Sequence, residues 1–492
     1  MGGRIPGEPK ARLTPHEVLS WWGGLHARQF LAACSTANWQ KRQVPGGFGP
    51  RFPFEAPAHL PAAINSTMPS FLRLALGLLA LVAAGNLPAA DSRDLPPVDR
   101  VSGPPPGTVV FASPDREKFF CGSPSIVIFP DGSYLVSHDI GGKHDRAGHT
   151  VLQASTDRGA SWRQVGEVKN QKWSTLFHHR GATYLIGTSA RPGDIIIRRS
   201  IDGGRTWTDP VDAQRGLLAQ GKYHCAPTPV VVHRGRIWRA FEQFAPTAPV
   251  RSFSAFVMSA PEDADLLAAS SWTRTNELQH RREWLQTRNA EWLEGNVVVT
   301  PQGGLVDILR VESHPAIGAP FTLPGANARI PRFEVAAMLP VSADGRAVTF
   351  DPARDYIHFV GSEAKFTIRY DERSRRYWSI GSKITNPHSG YAWLYTPHHQ
   401  RNVLSLTSST DLRTWEERCR LLRFREGQVV TKEESRVGFQ YVDWQFDGDD
   451  LVAVSRTAWN GLNYHDANFI TFHRVRNFRT LSPADAPPPL NR

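Results

Sequence analysis

The sequence has few cysteines. Only four occur in 492 residues, and none stands in a Cys-x-x-Cys pair or at the spacing of a metal site: Cys34, Cys121, Cys225 and Cys419. So few and so widely spaced, they exclude a disulfide-rich scaffold and a zinc finger. Cys34 lies in a segment that we expect to be absent from the mature chain, so the other three form at most one disulfide. We expect buried free thiols.

Long hydrophobic runs and blocks of one charge are missing as well. The apolar stretch at residues 74–85 is shorter than the roughly 20 residues of a membrane-spanning helix. Lysine and arginine number 57 against 46 aspartates and glutamates, for a formal net charge of +11, but they are scattered along the chain. This pattern argues against a nucleic-acid interface and favours a basic surface suited to acidic substrates.

The N-terminal part differs from the rest of the chain. Residues 1–67 are rich in Pro, Gly, Ala and Arg and show no strand or helix periodicity. From Met68, a short basic region, the apolar stretch and small residues up to Ala90 are typical of a secretory signal peptide. We interpret residues 1–67 as a misassigned start or disordered extension, 68–90 as the signal peptide, 91–108 as a proline-rich linker and 481–492 as a tail. The protein is predicted to be secreted or periplasmic, monomeric, and without a membrane anchor after cleavage.

What the chain does contain is a repeated turn. Ser155-Thr-Asp-Arg-Gly-Ala-Ser-Trp162 and Ser200-Ile-Asp-Gly-Gly-Arg-Thr-Trp207 both read Ser-x-Asp-x-Gly-x-Ser/Thr-Trp and begin 45 residues apart. Asp and Ser cap a tight turn, Gly takes a positive φ, and Trp packs the turn onto a sheet. Residues 402–415 end in a shortened copy that lacks the Gly. A turn repeated at this period predicts a propeller of four-stranded sheets.

Residues 109–480 have the pattern of short strands separated by turn signals. Hairpins are predicted at residues 125–137, 229–240, 296–309, 366–380 and 441–455, and the one helical pattern lies near residues 261–267. We therefore predict an all-β fold, a six-bladed β-propeller, with seven blades as the alternative.

The eight-residue motif resembles the Asp-box, or BNR repeat, of the sialidase superfamily. The chain is similar to exo-sialidases over roughly residues 119–473. The resemblance implies a glycoside hydrolase with a Tyr nucleophile paired with a Glu, an Asp acid/base and three arginines that hold a substrate carboxylate. It implies a glycan or polysaccharide as substrate and neither a metal nor another cofactor. Tyr nucleophiles are an exception to the two-carboxylate scheme of glycoside hydrolysis.

Site residues are implied segment by segment. Glu294, followed by a strand, a Gly-Gly turn, a second strand and Arg310, matches a unit of the family in which the Glu polarises the nucleophile and the Arg holds the carboxylate. Glu291 is the alternative to Glu294. Arg401, just before the shortened motif, is implied as a second carboxylate ligand and Tyr441 as the nucleophile. A phenol with an ordinary pKa of about 10 needs a neighbouring carboxylate to accept its proton.

The acid/base is implied in the first sheet. Asp145 lies in a polar loop at residues 141–149, between a strand and the first copy of the motif, as in the family. Partial burial would keep its carboxyl group protonated near the working pH. Asp139, a few residues upstream, is its rival.

The chain departs from the family at the first strand. The family begins it with Arg-Ile-Pro, whereas Gly122 stands at the position of the arginine here. One charged pair, worth about 1.5–3 kcal/mol, is therefore missing unless another cation replaces it. The candidates are Arg116, Lys118 and His138. Sialic acid specificity does not follow, and a related acidic or neutral sugar is equally open.

The histidines favour a second hypothesis. His138 and His224 belong to a group in the first blades, and Tyr223-His224 precedes a strand that contains Arg239. Some propeller polysaccharide lyases and rhamnosidases use His, Tyr and Arg on sugars linked to uronic acid. We therefore keep His138, Asp139, His224 and Arg239 as candidates for substrate binding. A lyase or rhamnosidase-type enzyme is the second hypothesis, and a non-catalytic glycan-binding propeller is the third.

Overall fold

The computed structural model describes residues 101, 103–142, 148–244, 252–316, 318–320, 322–386, 399–427 and 436–490. The predicted extension at 1–67, the signal peptide at 68–90 and Asp145 lie outside these residues. The described chain contains 25 β-strands and no α-helix. No helix among its residues is long and apolar enough to cross a membrane. Short 3-10 helices lie at Ala269–Ser271, Arg282–Trp284, Gly325–Asn327, Phe478–Thr480 and Pro483–Asp485.

The strands form antiparallel sheets in which chain neighbours pair, four sheets of four strands and one of nine. The first sheet contains β2 (Phe119–Ile128), β3 (Tyr134–Gly142), β4 (His149–Ser155) and β5 (Arg163–Lys169). The nine-stranded sheet contains β6 (Lys172–His179), β7 (Ala182–Thr188), β8 (Gly193–Ser200), β9 (Leu217–His224), β10 (Val231–His233), β11 (Arg236–Phe244), β12 (Phe253–Pro261), β13 (Thr273–Arg274) and β14 (Leu278–Gln279).

The remaining sheets continue in chain order. One contains β15 (Trp292–Val299), β16 (Leu305–Val311), β17 (Val335–Val341) and β18 (Tyr356–His358). The next contains β19 (Thr367–Asp371), β20 (Arg376–Ser382), β21 (Val403–Ser409) and β22 (Glu416–Arg423). The last contains β23 (Gly438–Asp447), β24 (Asp450–Ala458), β25 (Phe469–Val475) and β1 (Thr108–Ala112).

These sheets close into a ring. The first strand of each sheet faces the axis, so that β2 contacts β6 and β23, while β15 contacts β11 and β19, and β19 contacts β23. Between β6 and β15, the Thr175 hydroxyl donates to the Thr228 carbonyl at 2.9 Å and the Thr228 hydroxyl donates to the Gly295 carbonyl at 2.7 Å. The N-terminal strand β1 pairs with β25 and so joins the two ends of the propeller. The predicted all-β propeller fold is therefore confirmed.

The repeated motif forms the turn that its sequence predicts. Between β8 and β9, Asp202 Oδ1 accepts the Thr206 N–H at 3.0 Å, and Ser200 Oγ accepts the Gly204 N–H at 2.9 Å. Gly204 has a φ of 87°, which a side chain would disfavour. In the shortened copy, Leu412 takes this position with a φ of 64° and is fully buried. Packing of the leucine therefore offsets a backbone conformation that normally favours glycine.

The predicted hairpins are the pairs β2–β3, β10–β11, β15–β16, β19–β20 and β23–β24. The helical pattern near residues 261–267 was wrong, because β12 runs to Pro261 and the chain then turns. Asp265 explains part of the difference: its Oδ1 accepts the Leu267 N–H at 3.1 Å, a local bond that competes with a helix.

The hydrophobic core is divided into clusters between neighbouring groups of strands. Six clusters occur among the described residues, each drawing on two consecutive groups of strands around the ring. Their largest buried side chains are Trp238, Trp292, Trp378 and Trp444. Three cysteines are buried free thiols, as expected: Cys121, Cys225 and Cys419.

Candidate active site

Four inner strands carry the same irregularity in their first half. β2, β6, β15 and β23 each contain a bulge in the pairing with the next strand. One non-glycine residue with a φ between 48° and 64° lies at each bulge: Ser123, Trp173, Glu294 and Tyr441. A left-handed residue in a bulge re-aims its side chain, and such strained positions cluster at functional sites. Two of the residues predicted from the sequence thus occupy equivalent places in the ring.

Tyr441 and Glu294 are brought into direct contact although they lie 147 positions apart. The Tyr441 hydroxyl donates to Glu294 Oε1 at 2.6 Å. Arg310 Nη1 donates to the other carboxylate oxygen, Oε2, at 3.2 Å. Tyr441 is 7% exposed and Glu294 is 1% exposed. The arrangement is a phenol with a carboxylate proton acceptor that a guanidinium group orients.

The charges around Glu294 and Tyr441 determine which of the two residues holds the phenol proton. Burial raises the pKa of Glu294, but the charges of Arg310 and His224 outweigh that effect and hold the pKa below its usual value. Burial and the Glu294 carboxylate raise the pKa of Tyr441 to about 12. At neutral pH the pair is therefore a neutral phenol beside an ionised carboxylate, ready to accept the phenol proton once the oxygen attacks.

Arg401 lies beside this pair. It is 5% exposed, its carbonyl accepts the Phe439 N–H at 2.7 Å, and its pKa is lowered by burial and by the neighbouring charge of Arg310. Its Nε and Nη1, and Nε of Arg310, have no hydrogen-bond partner among the described residues. Leaving buried cationic N–H groups without acceptors is costly, so this cluster is suited to an anionic ligand group.

Arg456 is a third cation of the cluster and was not predicted from the sequence. It lies on β24 opposite Gln440, and its guanidinium carbon is 5.2 Å from the centre of the Tyr441 ring. The sequence signal was a charged residue within the otherwise apolar and small strand Leu451-Val-Ala-Val-Ser-Arg-Thr-Ala458. An arginine is rarely buried in a strand unless it is paired.

The side chains predicted to replace the arginine missing at Gly122 are engaged elsewhere. Arg116 and Lys118 are exposed, and Lys118 pairs with Asp115 at 2.8 Å. His138 is fully buried, and its ring is tilted by 41° against that of Phe111 at 4.5 Å between ring centres. Burial lowers the pKa of His138 to about 4. Replacement of the arginine by one of these three side chains therefore stays a prediction.

Asp139 is tied into the fold. One carboxylate oxygen accepts the Thr150 hydroxyl at 3.0 Å, and the other accepts the Trp173 N–H at 2.9 Å. Burial is the largest influence on Asp139 and raises its pKa. Its bonds hold the left-handed Trp173, whose ring contacts His224 at 4.5 Å. Asp139 therefore anchors Trp173 in the described structure, and its rival Asp145 lies outside the described residues.

The other two predicted binding residues have different surroundings. Arg239 is 1% exposed and donates to the Thr228 hydroxyl and to the carbonyls of Ala226 and Ala240, so it supports the chain between β9 and β10. Its Nε has no hydrogen-bond partner among the described residues, and its role in substrate binding stays a prediction. His224 lies nearer the site: its Nδ1 is 2.7 Å from Glu242 Oε2, and Glu242 Oε1 accepts the N–H of Gly295, the residue after Glu294, at 3.1 Å.

The polar segment at residues 463–468 borders the arginine cluster. The His465 carbonyl accepts a bond from Arg456 Nη2, and Asp466 Oδ1 lies 2.9 Å from His465 Nδ1. Burial raises the pKa of the Tyr464 phenol to about 12, and the charges of Arg401, Arg310 and Arg456 offset part of that rise. Among the described residues no group of three or more His, Cys, Asp and Glu side chains is arranged to hold a metal ion.

No family model matches the chain. No curated protein matches it either. Among solved structures, a protein of unknown function from Dyadobacter fermentans shares 13% identity with a TM-score of 0.46, over 75% of this chain and 97% of that one. The Hadza microbial sialidase Hz136 shares 15% identity with a TM-score of 0.48, over 75% of this chain and 68% of that one. An α-L-arabinanase of Penicillium chrysogenum shares 13% identity with a TM-score of 0.44, over 76% of this chain and 98% of that one. Because these TM-scores lie below 0.5, we draw no conclusion about function from them.

Proposed function

We propose that the protein is a secreted glycoside hydrolase that removes terminal acidic sugars from glycans. Tyr441 is the nucleophile, Glu294 accepts its proton, and Asp145 is the acid/base. Arg310 and Arg401 bind the negative charge of the sugar. The observation that carries the proposal is the 2.6 Å hydrogen bond from the Tyr441 hydroxyl to Glu294, set among buried guanidinium groups with unpaired nitrogens.

The first step is a displacement at the anomeric carbon. Tyr441 Oη forms a bond to this carbon, the phenol proton moves to Glu294 Oε1, and the glycosidic C–O bond breaks as Asp145 protonates the leaving oxygen. A neutral phenol suits an anionic sugar, because a carboxylate nucleophile would repel the sugar's own negative charge. Arg310, bonded to Glu294 Oε2 at 3.2 Å, keeps the proton acceptor in place.

The second step restores the enzyme. A water molecule gives a proton to Asp145, now a base, and its oxygen attacks the anomeric carbon. The bond to Tyr441 Oη breaks, and the proton held by Glu294 returns to the phenol. Tyr441, Glu294 and Asp145 thus return to their starting protonation states. Glu294 and Asp145 carry the protons in both steps.

Hydrolysis of chromogenic glycosides tests the proposal. Sialosides, glucuronides and galacturonides are compared with neutral arabinosides and galactosides. Tyr441→Phe should lower kcat by about 10³-fold or more, within the range seen when a nucleophile is removed. Tyr377→Phe is the matched control, because its hydroxyl donates to the Val299 carbonyl in the fold at 2.8 Å. Absence of hydrolysis with every glycoside, or full activity of Tyr441→Phe, would contradict the proposal.

The role of Asp145 has its own test. Asp145→Asn should slow hydrolysis of an alkyl glycoside by about 10²–10⁴-fold, the usual contribution of a general acid. A 4-nitrophenyl glycoside should be affected far less at the first step, since nitrophenolate leaves without a proton. If Asp139→Asn shows this dependence on the leaving group and Asp145→Asn does not, the acid is Asp139.

A second candidate function is elimination by a polysaccharide lyase, or a rhamnosidase-type cleavage, on uronic-acid-linked sugars. The observation that favours it is the pair of His224 Nδ1 and Glu242 Oε2, 2.7 Å apart. Glu242 Oε1 also accepts the N–H of Gly295, next to Glu294, at 3.1 Å. A lyase would release an unsaturated product with ultraviolet absorbance and would depend on His224. The third hypothesis, a glycan-binding propeller, predicts binding of the same sugars with no product.

Two further parts of the proposal concern architecture and export. We propose six blades, with the nine-stranded sheet divided into two at β9, and the six hydrophobic clusters between consecutive strand groups support this count. We also propose export through the signal peptide at residues 68–90. N-terminal sequencing of the exported protein should find a start after Ala90, and a mature chain that retains residues 1–67 would contradict it.

A further inference from the structure

A lysine is buried beside the strand that carries Tyr441, and the proposed reaction does not use it. Lys365 lies just before β19 and is 1% exposed. Its ammonium group donates to two neutral oxygens, the hydroxyl of Thr367 at 2.6 Å and the backbone carbonyl of Val442 at 2.7 Å. Lysine is rarely buried to this extent, because removing an ammonium group from water is costly. The contact with Val442 is therefore a candidate for a role in the site.

Val442 belongs to the bulge that re-aims Tyr441. The pairing of β23 with β24 shifts between Gln440 and Asp443, and the two residues between them form the bulge. Tyr441 has a left-handed φ of 55° there. Strained conformations of this kind persist only where the surrounding structure holds them. At this bulge the Val442 carbonyl accepts two bonds from the preceding sheet, one from the lysine and one from the Thr367 hydroxyl at 2.9 Å.

Two other bulges are held by a buried ionisable side chain in the same way. The N–H of Trp173, in the bulge of β6, donates to the Asp139 carboxylate at 2.9 Å. The N–H of Gly295, in the bulge of β15, donates to the Glu242 carboxylate at 3.1 Å. Both carboxylates are buried and come from the preceding group of strands, on β3 and β11. At the Tyr441 bulge the group to be held is a carbonyl, so the side chain that holds it has to be a donor.

The bulge determines where the phenol lies. The Tyr441 hydroxyl meets Glu294 Oε1 at 2.6 Å, and a hydrogen bond weakens steeply when its distance or angle changes. We propose that Lys365 is a positioning residue for Tyr441, because its bond to the Val442 carbonyl fixes the bulge that aims the phenol at Glu294. This inference deepens the proposed function and rests on it for the role of Tyr441 as the nucleophile.

Lys365→Met tests the assignment by kinetics. The Val442 carbonyl keeps its bond from Thr367 in this variant, so the protein should fold. kcat should fall by about 10–100-fold, since a displacement of about 1 Å at the reacting groups costs up to about 10²-fold. KM should hardly change, because no contact with the sugar is removed. An unchanged kcat in the folded variant, or a loss confined to KM, would overturn the proposal.

Lys383→Met is the matched control. Lys383 follows β20 in the same sheet, and its ammonium group pairs with Glu417 at 3.1 Å. The control should keep the kcat of the parent, and a loss as large as that of Lys365→Met would overturn the assignment. If circular dichroism shows that Lys365→Met does not fold, the same measurements are made on Lys365→Gln. This variant keeps a polar side chain at the buried position but brings no charge to the carbonyl, and the same pattern is expected.

The pH profile of kcat separates positioning from a direct effect of charge. Burial lowers the pKa of Lys365 to about 7, and four charged side chains act on it as well: Asp443, Glu294, Arg369 and Arg239. If the ammonium group acted only through its charge on Glu294, kcat of Lys365→Met would return to the parent value at higher pH, where Glu294 is ionised in both proteins. Positioning predicts a lower kcat over the whole range, because the neutral amine of the parent still donates to the carbonyl. A return to the parent value would overturn the proposal.

A stability measurement separates this inference from the proposed function. Urea unfolding gives the coupling between Tyr441→Phe and Glu294→Met, first in the parent and then in Lys365→Met. A general loss of stability in Lys365→Met is shared by all the variants and cancels. The coupling should fall to less than about half of its parent value, because the hydrogen bond is no longer held at 2.6 Å.

The two proposals then fail by different results. A reduced coupling supports the role of Lys365 even if Tyr441→Phe proves as active as the parent, which would overturn the hydrolase. An unchanged coupling in Lys365→Met, together with hydrolysis that depends on Tyr441, would keep the hydrolase and overturn the positioning role.

Discussion

The contact between Tyr441 and Glu294 predicts a coupling energy that can be measured. Tyr441→Phe removes the donor, Glu294→Met removes the acceptor, and the double variant removes both. The bond is short, at 2.6 Å, joins a phenol to an ionised carboxylate, and is buried. Hydrogen bonds to charged groups contribute about 1.5–3 kcal/mol. The loss of unfolding free energy in the double variant should be smaller than the sum of the two single losses by that amount.

Urea unfolding of the four proteins at pH 7 measures this difference. The loss caused by Glu294→Met includes the cost of leaving Arg310 without its partner, but that cost is present in the single and double variants and cancels in the cycle. Variants that add within about 0.5 kcal/mol would refute the reasoning, since independent sites behave in that way.

The stabilisation by the Tyr441–Glu294 hydrogen bond should change with pH in a definite direction. The folded pKa of Glu294 lies below its usual value, and the bond from Tyr441 is one of the interactions that lower it. Stability from such a carboxylate is present above the unfolded pKa of about 4.3 and is lost as the pH falls through the folded pKa. The difference between the parent and Tyr441→Phe should therefore be largest near neutral pH and shrink in acid. A difference that grows as the pH falls would be inconsistent with an ionised Glu294.

Three other regions give predictions. Leu412→Gly removes the backbone strain of a φ of 64°, which stabilises the fold by about 1 kcal/mol. It also removes a fully buried side chain, which costs about 2–5 kcal/mol, so Tm should fall. A rise in Tm would show that backbone strain dominates. Lys365 is buried and donates to the Thr367 hydroxyl at 2.6 Å, and burial lowers its pKa to about 7. In the unfolded chain the lysine keeps its proton up to its ordinary pKa of about 10.4. The free energy of unfolding should therefore rise between about pH 7 and pH 10. In Lys365→Met, urea titrations should show no such rise. Burial raises the pKa of Cys121 and Cys225 to about 12, so iodoacetamide should label neither in the native protein at pH 8, as peptide mass spectrometry would show; native labelling would contradict their burial.

Much of the fold could be predicted from the sequence because its signals are local. The turn at Ser200–Thr206 is held by bonds among residues four positions apart, and the hairpins join neighbouring segments. The helix predicted near residues 261–267 was wrong for a reason that is also local. The Asp265 carboxylate accepts the Leu267 N–H, and this bond competes with helix formation. The closure of the ring through β1 and β25 is a long-range pairing that no local pattern specifies.

In the candidate site, too, local contacts could be predicted from the sequence and long-range contacts could not. Glu294 and Arg310 lie at matching ends of one hairpin, so a sequence pattern of ordinary length could suggest that they meet. Arg456 lies opposite Gln440 on the hairpin that carries Tyr441, so a pattern of the same length could have indicated it. The 5.2 Å distance between its guanidinium carbon and the centre of the Tyr441 ring is visible only in the structure. The roles of His138 and Arg239 stay predictions: residue type suggested them, and the structure buries both side chains.

Trapping the covalent intermediate tests the central claim most directly. Fluorinated glycosyl fluorides of the sugar acids that the enzyme hydrolyses react at the anomeric carbon and lose fluoride, while the ring fluorine slows the second step. Peptide mass spectrometry of the trapped protein should find the sugar on the peptide that contains Tyr441, and no adduct should form in Tyr441→Phe. Inactivation with the sugar on a different residue, or steady hydrolysis by Tyr441→Phe, would contradict the claim that this phenol is the nucleophile.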